Sequence, residues 1–128
     1  MGKVVLYQIQ INQKNSIMIT KEKIVEFFKD IDNCQSFDFN KELTWGYFFL
    51  SANKNQLEKT CKQLITLGYI FVDIFDAEKD NIDDDDEFYL HVEKKEKHNV
   101  DSLFKRNEEL YAIAFNYKIE YDGFDVGN

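Results

Sequence analysis

The chain has 128 residues, 44% of them hydrophobic and 16% aromatic, and its 24 acids against 16 basic residues leave a net charge of −8. That is one domain's length, with enough large apolar groups for a core of its own and too many for a disordered tail. Non-specific binding to nucleic acid is disfavoured, because a polyphosphate must be met by positive charge.

Two cysteines, Cys34 and Cys61, allow at most one disulfide, so this is no disulfide scaffold. No apolar run approaches the ~18–20 residues of a membrane span, and no signal-peptide core opens the chain; the expected location is cytoplasmic. Arg106 is the only arginine among the 16 basic residues, which leaves one candidate for a bidentate grip on phosphate or base edges.

Residues 4–11 alternate, with Val5, Tyr7, Ile9 and Ile11 on one face, the pattern of a strand with one wet side. Thr20 is a candidate N-cap for a helix whose stripe is Ile24, Phe27, Phe28 and Ile31, and residues 33–40 read as a loop. Thr44–Ala52 is apolar on both faces, as in an interior strand. Asn53 with Gln56 forms the pattern of a capping box for a second helix, with stripe Leu57, Cys61, Leu64 and Ile65 and a stop at Gly68. Tyr69–Phe75 is a β-branched and aromatic strand. After an acidic loop, Phe88, Leu90 and Val92 face inward and Tyr89, His91 and Glu93 outward. Asn99 caps a third helix carrying Leu103, Leu110, Ala114 and Tyr117, and Ile119 and Tyr121 form a short strand closed by an Asp122-Gly123 turn.

Residues 44–122 thus run β-α-β-β-α-β. The expected fold is α+β and ferredoxin-like: a four-stranded antiparallel sheet with helices on one face. Residues 1–42 form an N-terminal strand-helix extension, and residues 43–128 the main domain, the two making one compact unit.

Catalytic and metal signatures are absent. His91 and His98 lack partners at metal-ligand spacing and read as surface histidines. Cys61 lies on an apolar stripe and Cys34 in a loop, neither with an activating motif. No P-loop, G-x-S-x-G or G-x-G-x-x-G occurs, so no enzyme activity and no cofactor are expected. The run Asp80, Asn81, Ile82, Asp83, Asp84, Asp85, Asp86, Glu87 lacks the central glycine of an EF-hand loop, and no metal is expected there. Residues 73–101 hold twelve acids against four lysines and so carry the entire −8, while the rest of the chain is neutral. Asp80, Asp83, Asp84, Asp85, Asp86 and Glu87 are therefore the candidate contacts for a protein partner with a basic surface. Gly46-Tyr47-Phe48-Phe49 partly matches the stacking run of RNA-recognition sheets, but Trp45 stands where a base should precede it, and core packing explains it better.

The runs Phe48-Phe49-Leu50-Ser51, Leu67-Gly68-Tyr69, Phe88-Tyr89-Leu90-His91-Val92 and above all Glu120-Tyr121-Asp122-Gly123-Phe124 resemble the ribonuclease E inhibitor RraB family. The similarity covers roughly Leu43 to Gly127, with Phe124 where that family usually has tryptophan. It implies a βαββαβ sandwich that is not an enzyme and that inhibits an endoribonuclease by protein–protein contact, without direct nucleic-acid or membrane binding. From the residues alone, Tyr121, Asp122, Gly123 and Phe124 are a structural signature: a tight turn with two aromatics closing one end of the core. The alternative function is an immunity protein that neutralises a cognate nuclease toxin, which shares the small size and acidity. A small-molecule-binding module is a third reading and would require a pocket with convergent polar groups.

Overall fold

Which side of each element is buried follows from its periodicity, and a computed structural model, describing residues 7–10, 18–34 and 38–127, shows where the elements meet. In chain order they are β1 (Tyr7–Gln10), α1 (Lys21–Cys34), β2 (Leu43–Ser51), α2 (Lys54–Thr66), β3 (Ile70–Asp76), β4 (Phe88–Glu96), α3 (Val100–Tyr117) and β5 (Glu120–Gly127). The sheet has the order β1-β5-β2-β4-β3 and is antiparallel throughout. Its last four strands make the expected ferredoxin-like arrangement. β1 adds a fifth strand, with Tyr7 opposite Val126 and Ile9 opposite Phe124. The outer parts of the expected 4–11 strand, and most of the loop after it, lie outside the described residues.

The core fills the space between sheet and helices. Ile24, Phe27 and Ile31 of α1, Trp45, Tyr47 and Phe49 of β2, and Leu57 and Leu64 of α2 are all essentially buried. Phe27 stands edge-on to Phe124 at 5.1 Å and lies 6.0 Å from Trp45, so the first helix is packed into the same aromatic cluster as the last strand.

Four local expectations are corrected. α1 runs on to Cys34, so that cysteine ends a helix and is not in a loop. In α2 the buried stripe includes Thr60 while Ile65 is 51% exposed. Thr60 tolerates burial because its hydroxyl donates to the Gln56 carbonyl at 2.7 Å, and the buried face runs through Leu57, Thr60, Cys61 and Leu64, leaving position 65 outside it. The cap of α2 is half a capping box: Asn53 accepts from the Gln56 N–H, but the Gln56 side chain donates to the Tyr117 carbonyl at 2.8 Å, tying α2 to the end of α3. Finally, Asp122-Gly123 is not a turn. β5 continues to Gly127, Phe48 pairs with Gly123 and Phe49 with Tyr121, and Asp122 is the extra residue of a β-bulge. Gly123 takes φ +126°, a conformation other residues avoid.

Helix ends show a similar economy. Tyr69 N–H bonds to the Leu64 carbonyl at 3.0 Å around Gly68, which has φ +95°, closing α2 as expected. α3 ends in the same way, with Ile119 N–H on the Ala114 carbonyl at 3.0 Å, but Lys118 holds the left-handed position at φ 57°. A left-handed non-glycine residue costs about 1–2 kcal/mol, of which glycine returns part as extra unfolded-state entropy. Lys118→Gly is therefore expected to stabilise the fold by about 0.5–1 kcal/mol, read from the denaturation midpoint.

Candidate functional site

β3 and β4 form a hairpin whose connection holds the acidic run. The ladder reaches past the strands, with Ala77 N–H donating to the Glu87 carbonyl at 2.9 Å. At the tip, Asn81 accepts the Asp83 N–H on its side chain at 3.1 Å and the Asp84 N–H on its carbonyl at 3.0 Å. The Asn81 N–H in turn donates to the Asp84 carboxylate at 3.2 Å. This is turn chemistry of the Asx kind, in which the acidic residues help to build their own loop. Asp80, Asp83, Asp84, Asp85, Asp86 and Glu87 are all exposed. Asp86 meets Lys79 at 2.8 Å, and that hydrogen bond and charge hold its carboxyl below the usual range.

Beside the hairpin, on the sheet face away from the helices, Leu50, Phe75, Asp76, Glu78, Glu87 and Tyr89 line an open groove of about 480 Å³. Phe75 stacks on Tyr89 with centroids 5.5 Å apart, and the Tyr89 hydroxyl donates to Asp122 at 2.9 Å. Burial, then the charges of Glu87 and Asp122, raise the Glu120 carboxyl above its ordinary value. The negative field therefore extends from the hairpin base onto the sheet. Further along the same face, His91 stacks on Phe48 at 4.3 Å, so it is half-covered and not the solvated histidine the alternation suggested.

Deeper in, the end of β4 carries a buried carboxylate. Glu96 accepts from the Tyr47 hydroxyl at 2.9 Å and from Arg106 Nε at 3.2 Å, while Arg106 Nη2 binds its other oxygen, a side-on bidentate pair. His98 Nε2 lies 2.9 Å from the same carboxylate, and its Nδ1 lies 2.9 Å from Ser102 Oγ. The Glu96 carbonyl accepts the indole N–H of Trp45 at 3.0 Å. His98 is thus buried, contrary to its expected surface position, because the chain beyond β4 folds back onto Glu96 to start α3. Burial alone would push the Glu96 carboxyl up. Hydrogen bonds from His98 and Arg106, the His98 charge and the Tyr47 hydroxyl outweigh it and bring the value down to about 2. With its acceptor sites filled, this carboxylate is arranged to hold elements together, not to take a proton from a substrate. Among the described residues no group of three or more His, Cys, Asp or Glu is placed to hold a metal ion. No helix among them is long and apolar enough to cross a membrane.

Comparison with known families gives one decisive match: residues 31–126 fit the family described as Regulator of ribonuclease activity B, RraB. The chain belongs to the RraB family. No curated protein matches it. The family segment begins late in α1 and takes in the acidic hairpin, the Glu96 network and the β5 bulge, and its description is that of a regulator of ribonuclease activity.

The RraB-like signature at the end of the chain is built into the interior. Tyr121 is buried, and its hydroxyl donates to the Asn107 side chain at 2.6 Å. Asp122 accepts from Tyr89, and Phe124 sits in the aromatic cluster. The Glu96 network escaped the reading of the sequence, although two signals were present. Glu96 has the same strand parity as the inward Leu90 and Val92, and Arg106 is the chain's only arginine.

Two predictions follow from these contacts. A Cβ at position 46 would lie 2.2 Å from Asp125 Oδ1 and 2.8 Å from His91 Nε2, so Gly46→Ala is expected to cost about 2–3 kcal/mol in chemical denaturation. Glu96, held at about 2 in the fold against an ordinary 4.5, contributes its stability fully above pH 4.5 and loses it as the pH falls through 2. Glu96→Gln is expected to destabilise the protein by about 1–2 kcal/mol at pH 7, the partial exposure of the pair screening the rest, and the gap to the parent should close between pH 5 and 2 in a series of urea melts.

Proposed function

We propose that this RraB-family protein inhibits an endoribonuclease by direct, stoichiometric contact, docking its acidic hairpin on a basic surface of the enzyme. The observation that carries the reading is the disposition of charge. The twelve acids of residues 73–101 do not all face a partner: Glu96 pairs with Arg106, Glu93 is half-buried 3.8 Å from His91, and Asp101 and Asp86 are engaged by Lys21 and Lys79 at 2.8 Å each. What is left, Asp80, Asp83, Asp84, Asp85 and Glu87 with Asp73, Asp76 and Glu78 behind them, lies exposed on one hairpin.

A surface of one sign, placed on a projecting loop, raises the rate of encounter with an opposite charge and rejects wrong partners. It also favours the enzyme over its RNA substrate as the molecule bound, since the hairpin and the phosphate backbone carry the same sign. In this reading the protein acts in the cytoplasm, alongside the ribonuclease. Residues 1–42 and 43–128 act as one unit, because α1 and β1 complete the sheet and the aromatic cluster beneath it.

The test is a triple neutralisation, Asp83→Asn, Asp84→Asn and Asp85→Asn, at side chains that are exposed. The association rate with ribonuclease E at low salt is expected to fall about tenfold or more, and its dependence on ionic strength to flatten. Inhibition by the parent protein should reach its end point near one equivalent of enzyme. Unchanged capture with unchanged salt dependence would remove the hairpin as the docking surface.

A further inference from the structure

We propose that the free edge of β3 is the docking strand, receiving an extended basic segment of the ribonuclease as an added strand of the sheet. The inference rests on the function proposed above and names how the contact is made.

β3 is the last strand in the sheet order and pairs only with β4 among the described residues. Alternate backbone N–H and C=O groups of Ile70–Asp76 therefore point outward from the sheet, a template for another strand. The side chains agree. Ile70 is 63% exposed, Phe71 46%, Val72 41% and Phe75 39%, a concentration of exposed apolar surface on one short strand. Edge strands are ordinarily guarded by charged side chains, proline or bulges; Ile70–Asp76 has no lysine or proline, and its guards, Asp73, Asp76 and the shift at Val72, leave the last four residues open to a strand of positive charge.

Charge decides the occupant. The ionisable residues of β3 are Asp73 and Asp76, and the strand leads directly into Glu78 and the acidic hairpin. A second copy of the chain, pairing edge to edge, would set these aspartates and another −8 against the first. A segment rich in lysine or arginine meets opposite charge instead. The register shift at Val72 interrupts pairing with β4, but Asp73–Asp76 lies opposite His91–Phe88 without a break. That unbroken half, next to the hairpin, is the part open to an added strand. Phe75 lies on the open face, in the groove that it shares with Tyr89, Glu78 and Glu87. A cationic side chain of the incoming strand would find there both an aromatic face and carboxylates. In strand addition the main-chain bonds supply affinity and such pockets supply selectivity.

The experiment is hydrogen–deuterium exchange of the full chain, alone and with saturating ribonuclease E, joined to binding by the double variant Val72→Lys with Asp73→Lys. Both positions are exposed, and the melting curve of the variant checks that the fold is kept. The expected result is at least tenfold slower exchange of outward amides within residues 73–76 of the complex, and at least tenfold weaker binding by the variant. A complex that forms with β3 exchange unchanged overturns strand addition and leaves the proposed function standing. A dimer of the free protein that the double variant abolishes gives the edge to a second copy and overturns the inference. Failure of the parent chain to bind ribonuclease E overturns both.

Discussion

The ionised carboxylate of Glu96 is the constraint on which the rest of the molecule depends. A buried charge costs several kcal/mol unless it is paired and hydrogen-bonded, so the fold closes well only when every donor arrives. Those donors come from different parts of the chain: Tyr47 from β2, His98 from the connection after β4, and Arg106 from the second turn of α3. Satisfying them fixes the angle at which α3 lies on the sheet. That placement then sets Asn107 against the Tyr121 hydroxyl and Gln56 against the last carbonyls of α3. The neighbouring Trp45 is held by the same residue's carbonyl, and it carries the aromatic cluster that receives α1.

This arrangement separates two uses of acidity. At the end of β4 the Glu96 carboxylate is matched by the single guanidinium the chain possesses, in a geometry a lysine could not reproduce, while Asp122 and Asp125 are buried along β5. Outside, carboxylates are gathered on a hairpin that is ordered by its own side chains and not by counter-charges, apart from Lys79. Because Arg106 is engaged by Glu96 and Glu109, it does not neutralise the hairpin. The result is an acidic hairpin carried on a fold in which the Glu96 charge is matched from within.

Much of the fold was legible because it rests on periodicity. The two-sided apolar run of β2, the alternation in β4, the helical stripes of α1 and α3, and the caps at Asn53 and Asn99 lie where local chemistry puts them, and the order of elements then leaves few topologies. The errors arose where a distant partner changed the meaning of a residue. Thr60 is buried because a carbonyl on its own helix receives its hydroxyl, and Gln56 abandons its cap because Tyr117 is near. His98 looked solvated because nothing in the sequence says that the chain turns back over Glu96. The acidic hairpin, by contrast, was visible as composition alone, since self-repelling charge has nowhere to go but outward.

The bulge at Asp122 has a consequence for how such chains are compared. In a regular strand, residues three apart point to opposite sides, yet Tyr121 and Phe124 both enter the core. The extra residue shifts the parity of β5, so everything after it is out of phase with everything before. Two inward aromatics at an odd spacing around an aspartate and a glycine therefore mark a change of phase, and they mark it independently of what the protein binds. An insertion or deletion of one residue there would turn either Tyr121 or the Phe124–Val126 side of the strand out toward water. The closing signature is thus a device for counting, which keeps the last strand in step with both of its neighbours.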